Sequence, residues 1–470
     1  MDYDVIIIGA GPAGYVGAIR GAQLGMRVAV AEKRLEPKTQ KLALGGTCLN
    51  VGCIPSKAIL DSSEHFERAQ KSLAVHGIRV SGVELDLAQM HARKEKVVST
   101  LGQGVAGLFK KHGIASFTGE ARLLASGKVE VKTAEGPQLL TAKHVVLATG
   151  SKPVALPALP WHDPCIVDST GALDFAEVPA SLAIVGAGAI GLELGSVWRR
   201  LGSKVTLFEA MPDFLPAVDA QVSQAALKAL RTQGLEIFLG QKVQEAKVEG
   251  EGVRLFLDAS EGREEMRFDR VVVAVGRAPC TDGLGLEEAG VRTDQRGFVV
   301  VNNRYETSLP GVYAIGDVVG GPMLAHKASE EGIALMEMLA GQAGEVDYAL
   351  TPFVIYTWPE IAWVGKSEQA LKREGIAYRS GVFPFMASGR ARAMGEETGM
   401  VKVLAEEKSD RLLGVHIFGP QASELIAEAV TAMAFAGTAE DLALIVHAHP
   451  TLAEALHEAA LAVEGRSIHS

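Results

Sequence analysis

Two stretches of the chain repeat one pattern of apolar and turn-forming positions. Asp4 to Ile8 is almost continuously apolar and predicts a strand buried on both faces. Gly9, Gly11 and Gly14 follow as GxGxxG, a helical stretch runs on to Gly25, and Arg27 to Ala31 predicts a second strand ending at Glu32. The same order returns further along the chain. Leu182 to Val185 is apolar, Gly186, Gly188 and Gly191 form the second GxGxxG, Leu192 to Leu201 is helical, and Lys204 to Phe208 leads to Glu209. The spacing from the third glycine to the acid, Gly14 to Glu32 and Gly191 to Glu209, is identical in the two copies.

Further apolar runs complete the outline. HVVLATGS at 144–151 and RVVVAVGRAP at 270–279 predict buried parallel strands that close the two halves. Alternating stretches such as Val253 to Leu257 predict small antiparallel additions. GVYAIGDV at 311–318 predicts a strand ending at Gly316 and Asp317, and residues 326–339 have helical periodicity. After about residue 346 the texture changes. Met400 to Leu404 and Leu412 to Phe418 read as strands, and Ala422 to Phe435 and Thr451 to Val463 as amphipathic helices, which is α+β. The expected class is α/β, with two Rossmann-like dinucleotide-binding domains and a C-terminal α+β dimerisation domain. The expected boundaries are 1–149, 150–275, a central segment at 276–345, and 346–470.

The repeated glycines have a specific use. In such a motif the first allows the tight turn, the second lets the backbone approach a pyrophosphate, and the third lets helix and strand pack closely. The helix N-terminus then receives the phosphate charge, and the acid accepts from ribose hydroxyls. One GxGxxG is weak evidence in a glycine-rich chain. Two, each with strand, helix and acid in place, are strong.

Between the first motif and its closing strand lies GGTCLNVGCIPSK at 45–57, with Cys48 and Cys53 separated by four residues. No second Cys or His pair with ligand spacing follows, which argues against structural zinc. On a straight helix, residues five apart lie ~8.7 Å from one another, beyond the ~7 Å that a disulfide tolerates. If the pair closes, the helix must be distorted, and Gly52 and Pro55 are placed to allow it. A strained or accessible disulfide is readily reduced, as a catalytic redox pair requires. Lys57, one turn after Cys53, adds a cation that favours a thiolate. Cys165 and Cys280 read as inert.

Composition narrows the function by exclusion. Lys plus Arg total 46 against 56 for Asp plus Glu, a net charge of −10, so no basic field exists for nucleic acid or an anionic membrane. Four cysteines in 470 residues are too few for a secreted disulfide scaffold and suggest a cytoplasmic location. The longest mostly apolar stretch, at about 182–192, is broken by three glycines and is too short to span a membrane.

The two nucleotide units and GGTCLNVGCIPSK together resemble the flavin-dependent pyridine nucleotide disulfide oxidoreductases, and the cysteine segment is similar to that of the dihydrolipoamide dehydrogenases among them. The resemblance covers essentially the whole chain. It implies that the first unit holds FAD and the second the nicotinamide nucleotide. FAD would be held by Gly9, Gly11, Pro12, Gly14, Glu32 and Lys33, by Gly46, Thr47 and Lys57 in the cysteine segment, and by Gly119, Thr149 and Gly150. Asp317, bonding the ribityl chain, and Ala325 complete that pocket. The resemblance also implies that Cys48 exchanges with the dithiol substrate while Cys53 lies against the flavin. Electrons then pass from dithiol to disulfide to FAD to NAD.

HAHPTLAEALHEAA at 447–460 matches the family's acid/base motif, with His449 before Pro450 and Glu454 five residues on. Histidine suits proton removal from a thiol near neutrality, and a carboxylate orients its ring and stabilises its cation. An alternative is that Thr451 and Glu454 merely form a T-x-x-E capping box. His447 reads as structural. The resemblance further implies that His449 serves the disulfide of the other subunit, making the active unit a homodimer.

Glu209 favours NAD over NADP, because a carboxylate suited to a ribose 2′-hydroxyl repels a 2′-phosphate, and Ala210 to Asp219 contains no Lys or Arg. Arg199 and Arg200 nearby temper that preference. Glu193 matches a family position near the nicotinamide, with Val243 and Gly276 lining the rest of the site; the alternative for Glu193 is a solvated helix residue. The family reading implies NAD-dependent oxidation of dihydrolipoyl groups. Its partners would be the lipoyl-bearing acyltransferase core of 2-oxo acid dehydrogenase complexes and the lipoyl protein of glycine cleavage. The remaining alternatives are reduction of another small disulfide with NADH, and a mainly structural subunit of such a complex.

Overall fold

The first predicted strand, Tyr3–Ile8, lies inside a seven-stranded sheet, paired in parallel with Val28–Glu32 on one side and Gly136–Leu147 on the other. Its side chains alternate between two buried faces, as a central strand requires. Val5 and Ile7 pack with Ala13 and Ala18 of the helix Pro12–Gln23 and with Leu335 of the helix Ala325–Leu339. Ile6 and Ile8 face Leu123, Val129, Val131 and Leu140 of an antiparallel meander. Each fully buried aliphatic side chain of this kind contributes roughly 1.5–3 kcal/mol.

The computed structural model describes residues 1–162, 164–259 and 262–470. They group into two units, one comprising Met1–Ala58, Ala88–Val154 and Gly276–Val346, the other Ile59–Leu87, Ala155–Val275 and Asp347–Ser470. The segments expected at 150–275 and 346–470 therefore fall largely within one unit. The segment expected at 276–345 falls in the unit that begins at Met1.

The second unit repeats the arrangement. Leu235–Leu239, Lys204–Glu209, Ser181–Val185, Arg270–Val273 and Ile166–Val167 form a parallel sheet in that order. The antiparallel strands Val243–Glu249, Gly252–Ala259 and Gly262–Phe268 supply Val253, Leu255, Leu257 and Phe268 to its core. Beyond residue 350 a five-stranded antiparallel sheet carries the helices Ala422–Ala434 and Glu454–Val463, whose Ile426, Ala429, Leu456 and Ala459 pack on Val401, Val403, Val415 and Ile417. The expected α/β class with its α+β C-terminal part is what the chain adopts.

Two predicted elements differ. HVVLATGS is the end of a longer strand, Gly136–Leu147, whose first half pairs antiparallel with Lys128–Thr133 and only its last residues pair in parallel. The final helix starts at Glu454, not Thr451, because the Thr451 hydroxyl donates to the Ala448 carbonyl at 2.8 Å instead of capping helix amides.

Candidate functional site

The two glycine turns are the same object built twice. Gly11 and Gly188 precede the helices Pro12–Gln23 and Ala189–Leu201 in nearly identical extended conformations, and neither helix start is capped by a side chain. A Cβ on the third glycine would lie 1.9 Å from the Gly9 carbonyl in the first copy and 2.0 Å from the Gly186 carbonyl in the second, so packing within the turn explains Gly14 and Gly191. The second glycine is different. A Cβ on Gly188 would meet no atom of the chain within 4 Å, and one on Gly11 only the Gly46 Cα at 3.9 Å. Internal packing does not demand glycine there, whereas close approach of a phosphate to an uncapped helix start does.

The terminal acids duplicate as well. Glu32 accepts from the Ala10 amide at 2.9 Å and the Arg34 amide at 2.8 Å; Glu209 accepts from the Ala187 and Met211 amides, both at 2.9 Å. The acid and its two donors keep the same relative positions in the sequence of each copy. Each carboxylate is thus clamped beside its glycine turn. The Glu32 carbonyl accepts from the amide of Gly119 at 2.9 Å, which brings that predicted residue to the same edge, while Lys33 pairs with Glu120 at 3.3 Å on the surface.

The cysteine segment begins against the first turn. The Gly45 amide donates to the Ala10 carbonyl at 2.8 Å, and a Cβ on Gly46 would sit 2.5 Å from the Gly11 Cα. Asn50, which no sequence pattern singles out, donates to the Leu44 and Gly46 carbonyls at 3.0 and 2.8 Å and fixes this entry. The helix Gly46–Val51 carries Thr47 and Cys48, stops at Gly52, and a second helix, Cys53–Lys71, starts at once. That break is the distortion the cysteine spacing requires. A Cβ on Gly52 would lie 3.0 Å from the Thr47 carbonyl and 3.3 Å from the Cys48 Cα. Cys48 is half-buried, Cys53 is exposed, and their side chains hydrogen-bond. The bond to Cys53 and burial push the Cys48 thiol well above its ordinary range, while the Lys57 ammonium pulls the other way.

Asp317 stands in a one-turn helix, Gly316–Val319, after the strand Val312–Ala314. Its carboxylate accepts from the Ser151 hydroxyl, which in turn accepts from Arg277 Nε at 2.7 Å. Thr149 donates to the Cys280 carbonyl at 2.7 Å, holding Thr149 and Gly150 beside the short strand Arg277–Pro279. Ala325 opens the helix Ala325–Leu339. Behind Asp317 is a pair that no local pattern marks as special. Lys327 and Glu331, both essentially buried, are 3.0 Å apart; Lys327 donates to the Gly316 and Gly320 carbonyls, and Glu331 accepts from the Gly316 amide at 2.7 Å. The pair braces the turn that presents Asp317.

In the second unit Glu193 is 5% exposed and accepts from the Tyr356 amide at 3.0 Å, which corrects the solvated-residue alternative. Arg199 forms a two-point ion pair with Glu67, one arm at 2.9 Å. Arg200 reaches the Leu60 carbonyl at 3.3 Å and Ser63 at 3.4 Å. Both guanidinium groups are committed to the helix Cys53–Lys71 and are not held at Glu209. Val243 is buried in the core of this unit, and Gly276, in the first unit, accepts from the Val154 amide at 3.1 Å. Cys165 is buried in the same core as Val243.

His449, exposed, places Nδ1 2.8 Å from Glu454 Oε1, and Glu454 Oε2 accepts from the Thr451 amide at 2.7 Å. The capping-box alternative is therefore half realised: the glutamate arm exists, the threonine arm does not. Burial raises the Glu454 carboxyl, but the Thr451 amide and the His449 ring outweigh it and leave it below the ordinary range. His447, partly buried, is held between Glu428, at 2.6 Å, and the Ile445 carbonyl, at 2.9 Å, a structural role. No helix among the described residues is long and apolar enough to cross a membrane.

The chain is 48% identical to dihydrolipoyl dehydrogenase 2, mitochondrial, of Arabidopsis thaliana, an alignment covering 100% of this chain and 92% of the relative. It is 49% identical to dihydrolipoyl dehydrogenase of Cupriavidus necator, covering 99% of each. Among solved structures, HOCl-induced flavoprotein disulfide reductase RclA from Escherichia coli superposes with a TM-score of 0.86 at 27% identity, over 97% of this chain and 99% of that one. The model for the dimerisation domain of pyridine nucleotide-disulphide oxidoreductases matches residues 351–460. The model of the main domain matches residues 3–332, and the chain belongs to the pyridine nucleotide-disulphide oxidoreductase family.

Proposed function

We propose that this protein is a dihydrolipoamide dehydrogenase, oxidising protein-bound dihydrolipoyl groups with NAD through FAD and the Cys48–Cys53 pair. The observation that carries the reading is the helix broken at Gly52, which places the two cysteine side chains in contact at the edge of the first nucleotide turn. The helix starts at Gly11 and Gly188 and the clamped acids Glu32 and Glu209 fit FAD and NAD respectively. When bound, FAD supplies a two-electron acceptor and NAD carries the electrons away.

The protein's own part is thiol–disulfide exchange. His449, oriented by Glu454, takes the proton of one substrate thiol. The resulting thiolate attacks Cys48 Sγ of the oxidised pair, breaking its bond to Cys53 and releasing Cys53 as a thiolate stabilised by Lys57. The second substrate thiol then displaces Cys48 from the mixed disulfide. The substrate leaves as a disulfide, two electrons stay on the cysteine pair, and the protons go to His449 and Cys48. On this reading His449 acts on the disulfide of the other subunit of a homodimer, which the match to a dimerisation domain supports. The lipoyl groups would be presented by the acyltransferase core of a 2-oxo acid dehydrogenase complex in the cytoplasm.

Glu209 supports NAD as the acceptor, since Arg199 and Arg200 are occupied elsewhere and the loop after Glu209 offers no cation. The test is anaerobic addition of dihydrolipoamide to the yellow protein with NAD or NADP. Rapid NADH with little NADPH is expected. A bleached flavin with no nucleotide reduced would refute the nicotinamide assignment, and no change in either would refute the dithiol.

A further inference from the structure

The loop from Ala210 to Asp219 runs from the acid that would bind the adenine ribose to the helix Ala220–Thr232. At its near end the Met211 amide holds Glu209, and the Gly240 amide donates to the Met211 carbonyl at 2.9 Å. Its far end is held by a buried polar cluster that the proposed chemistry does not use. Asp219, wholly buried, accepts from Lys402 Nζ at 2.9 Å and the Gln221 amide at 3.0 Å through one oxygen, and from the Glu368 amide at 3.1 Å through the other. Its own amide donates to His416 Nδ1 at 3.1 Å, and His416 Nε2 faces the Lys366 carbonyl at 3.1 Å. Gln369 closes the cluster, donating to the Val218 carbonyl at 2.7 Å and accepting from the Ala220 amide at 3.2 Å.

Lys402 and His416 lie on adjacent strands of the antiparallel sheet, Met400–Glu406 and Leu412–Gly419, where they are register partners; Glu368 and Gln369 open the helix Glu368–Glu374. The end of a nucleotide loop is therefore fastened to a sheet of different sequence and fold. A buried ion pair seldom adds net stability over apolar packing, but it tolerates only one geometry, which suits a device that sets a position. Lys402, His416 and the Glu368 amide bond Asp219, and Gln369 bonds the Val218 carbonyl, so four groups of the C-terminal segment converge on the end of the loop.

We propose that Asp219, Lys402, His416 and Gln369 are positioning residues for the nicotinamide nucleotide. They fix the loop that presents Glu209, so the C-terminal sheet takes part in NAD recognition without touching the cofactor. This rests on the reading of Glu209 as the ribose acceptor. Losing the two Gln369 bonds should weaken the NAD interaction roughly threefold to thirtyfold, the upper figure corresponding to about 2 kcal/mol if both bonds are felt in full at Glu209.

The experiment is steady-state kinetics on the holoenzyme variants Q369A, D219N and E209A, with flavin content checking the fold. Q369A removes two bonds without leaving a buried charge, and D219N keeps the shape while removing the charge. The expected result is a KM for NAD raised roughly threefold to thirtyfold in both, with kcat and the KM for dihydrolipoamide within about twofold of the parent. Unchanged KM for NAD in folded Q369A and D219N, with E209A raising it, would overturn the proposal. So would equal changes in both KM values, which mark a merely structural role. If E209A also leaves the KM for NAD unchanged, the reading of Glu209 fails first and takes the proposal with it.

Discussion

His449 Nδ1 and Glu454 Oε1 stand 2.8 Å apart, and the second oxygen of the same carboxylate is held by the Thr451 amide. The glutamate is anchored to backbone before it meets the histidine, so it fixes the ring, and Nε2 is the nitrogen that would exchange the proton in the proposed reaction. Its carboxyl is kept below the ordinary range, so it stays ionised through the working pH range.

Replacing His449 by Gln should therefore lower turnover of dihydrolipoamide by roughly 10²- to 10⁴-fold. Flavin content and NADH oxidation by a one-electron dye, which need no thiol deprotonation, should be retained. E454Q should lose less, because the ring keeps its place on the chain but loses its orienting charge. Equal dye and dihydrolipoamide losses in H449Q would contradict the assignment.

On the proposed reading, Glu209 determines nucleotide choice. In E209A the NAD efficiency should fall roughly tenfold to a hundredfold, the value of charge-assisted hydrogen bonds to a ribose. NADP should gain relative to NAD, since the repelling charge is gone. Comparison of kcat/KM for the two nucleotides checks this, and an unchanged ratio would contradict it.

Acid should weaken the protein through His416. Burial lowers this imidazole from its ordinary 6.5 to about 4, so between those values the unfolded chain binds the proton and the folded one does not. Stability then falls as pH drops through that window, by roughly 3 kcal/mol at most. Glu368, lowered to about 2 by Lys372, Lys402 and Tyr378, adds a loss in the same direction below pH 4.5. Urea midpoints measured from pH 7.5 to 4 should decline, and the decline should flatten in H416Q. A flat profile in the parent would contradict the assignment.

The buried Lys327–Glu331 pair should matter for flavin retention. K327M leaves Glu331 buried without its cation, a change that costs roughly 3–5 kcal/mol. Since the pair holds both the amide and the carbonyl of Gly316, next to Asp317, flavin should be released at a lower temperature than in the parent. A thermal ramp followed by flavin fluorescence measures it, and an unshifted release would remove the pair from the FAD site.

Much of this site was legible because its signals are local. The two glycine turns, the acid at one fixed spacing after each, the Cys48–Cys53 pair and the His449–Glu454 motif all lie within short windows whose meaning is set by helix and strand geometry. The need for a distorted helix, with Gly52 and Pro55 placed to allow it, followed from the reach of a disulfide if the pair closes. The Lys327 brace shows what local pattern hides. Its i,i+4 spacing reads as an exposed surface pair, and only the packed turn at Gly316 reveals that it is buried. Asp219 and Lys402 are far apart in the chain, and nothing in either neighbourhood announces the other. Arg199 and Arg200 looked free to accept a 2′-phosphate until their partners on a separate helix were known. The start of the last helix was misplaced because Thr451 suits a cap, while its hydroxyl bonds backward to Ala448.

The most direct measurement is of the cysteines themselves. The holoenzyme, as isolated and after anaerobic dihydrolipoamide or NADH, is denatured, alkylated and digested, and the peptide carrying residues 45–57 is weighed. Cys48 and Cys53 should escape alkylation as a disulfide in the isolated protein and both be alkylated after either reductant. Alkylation of both before reduction, or of neither after it, would contradict the claim that this pair carries the electrons.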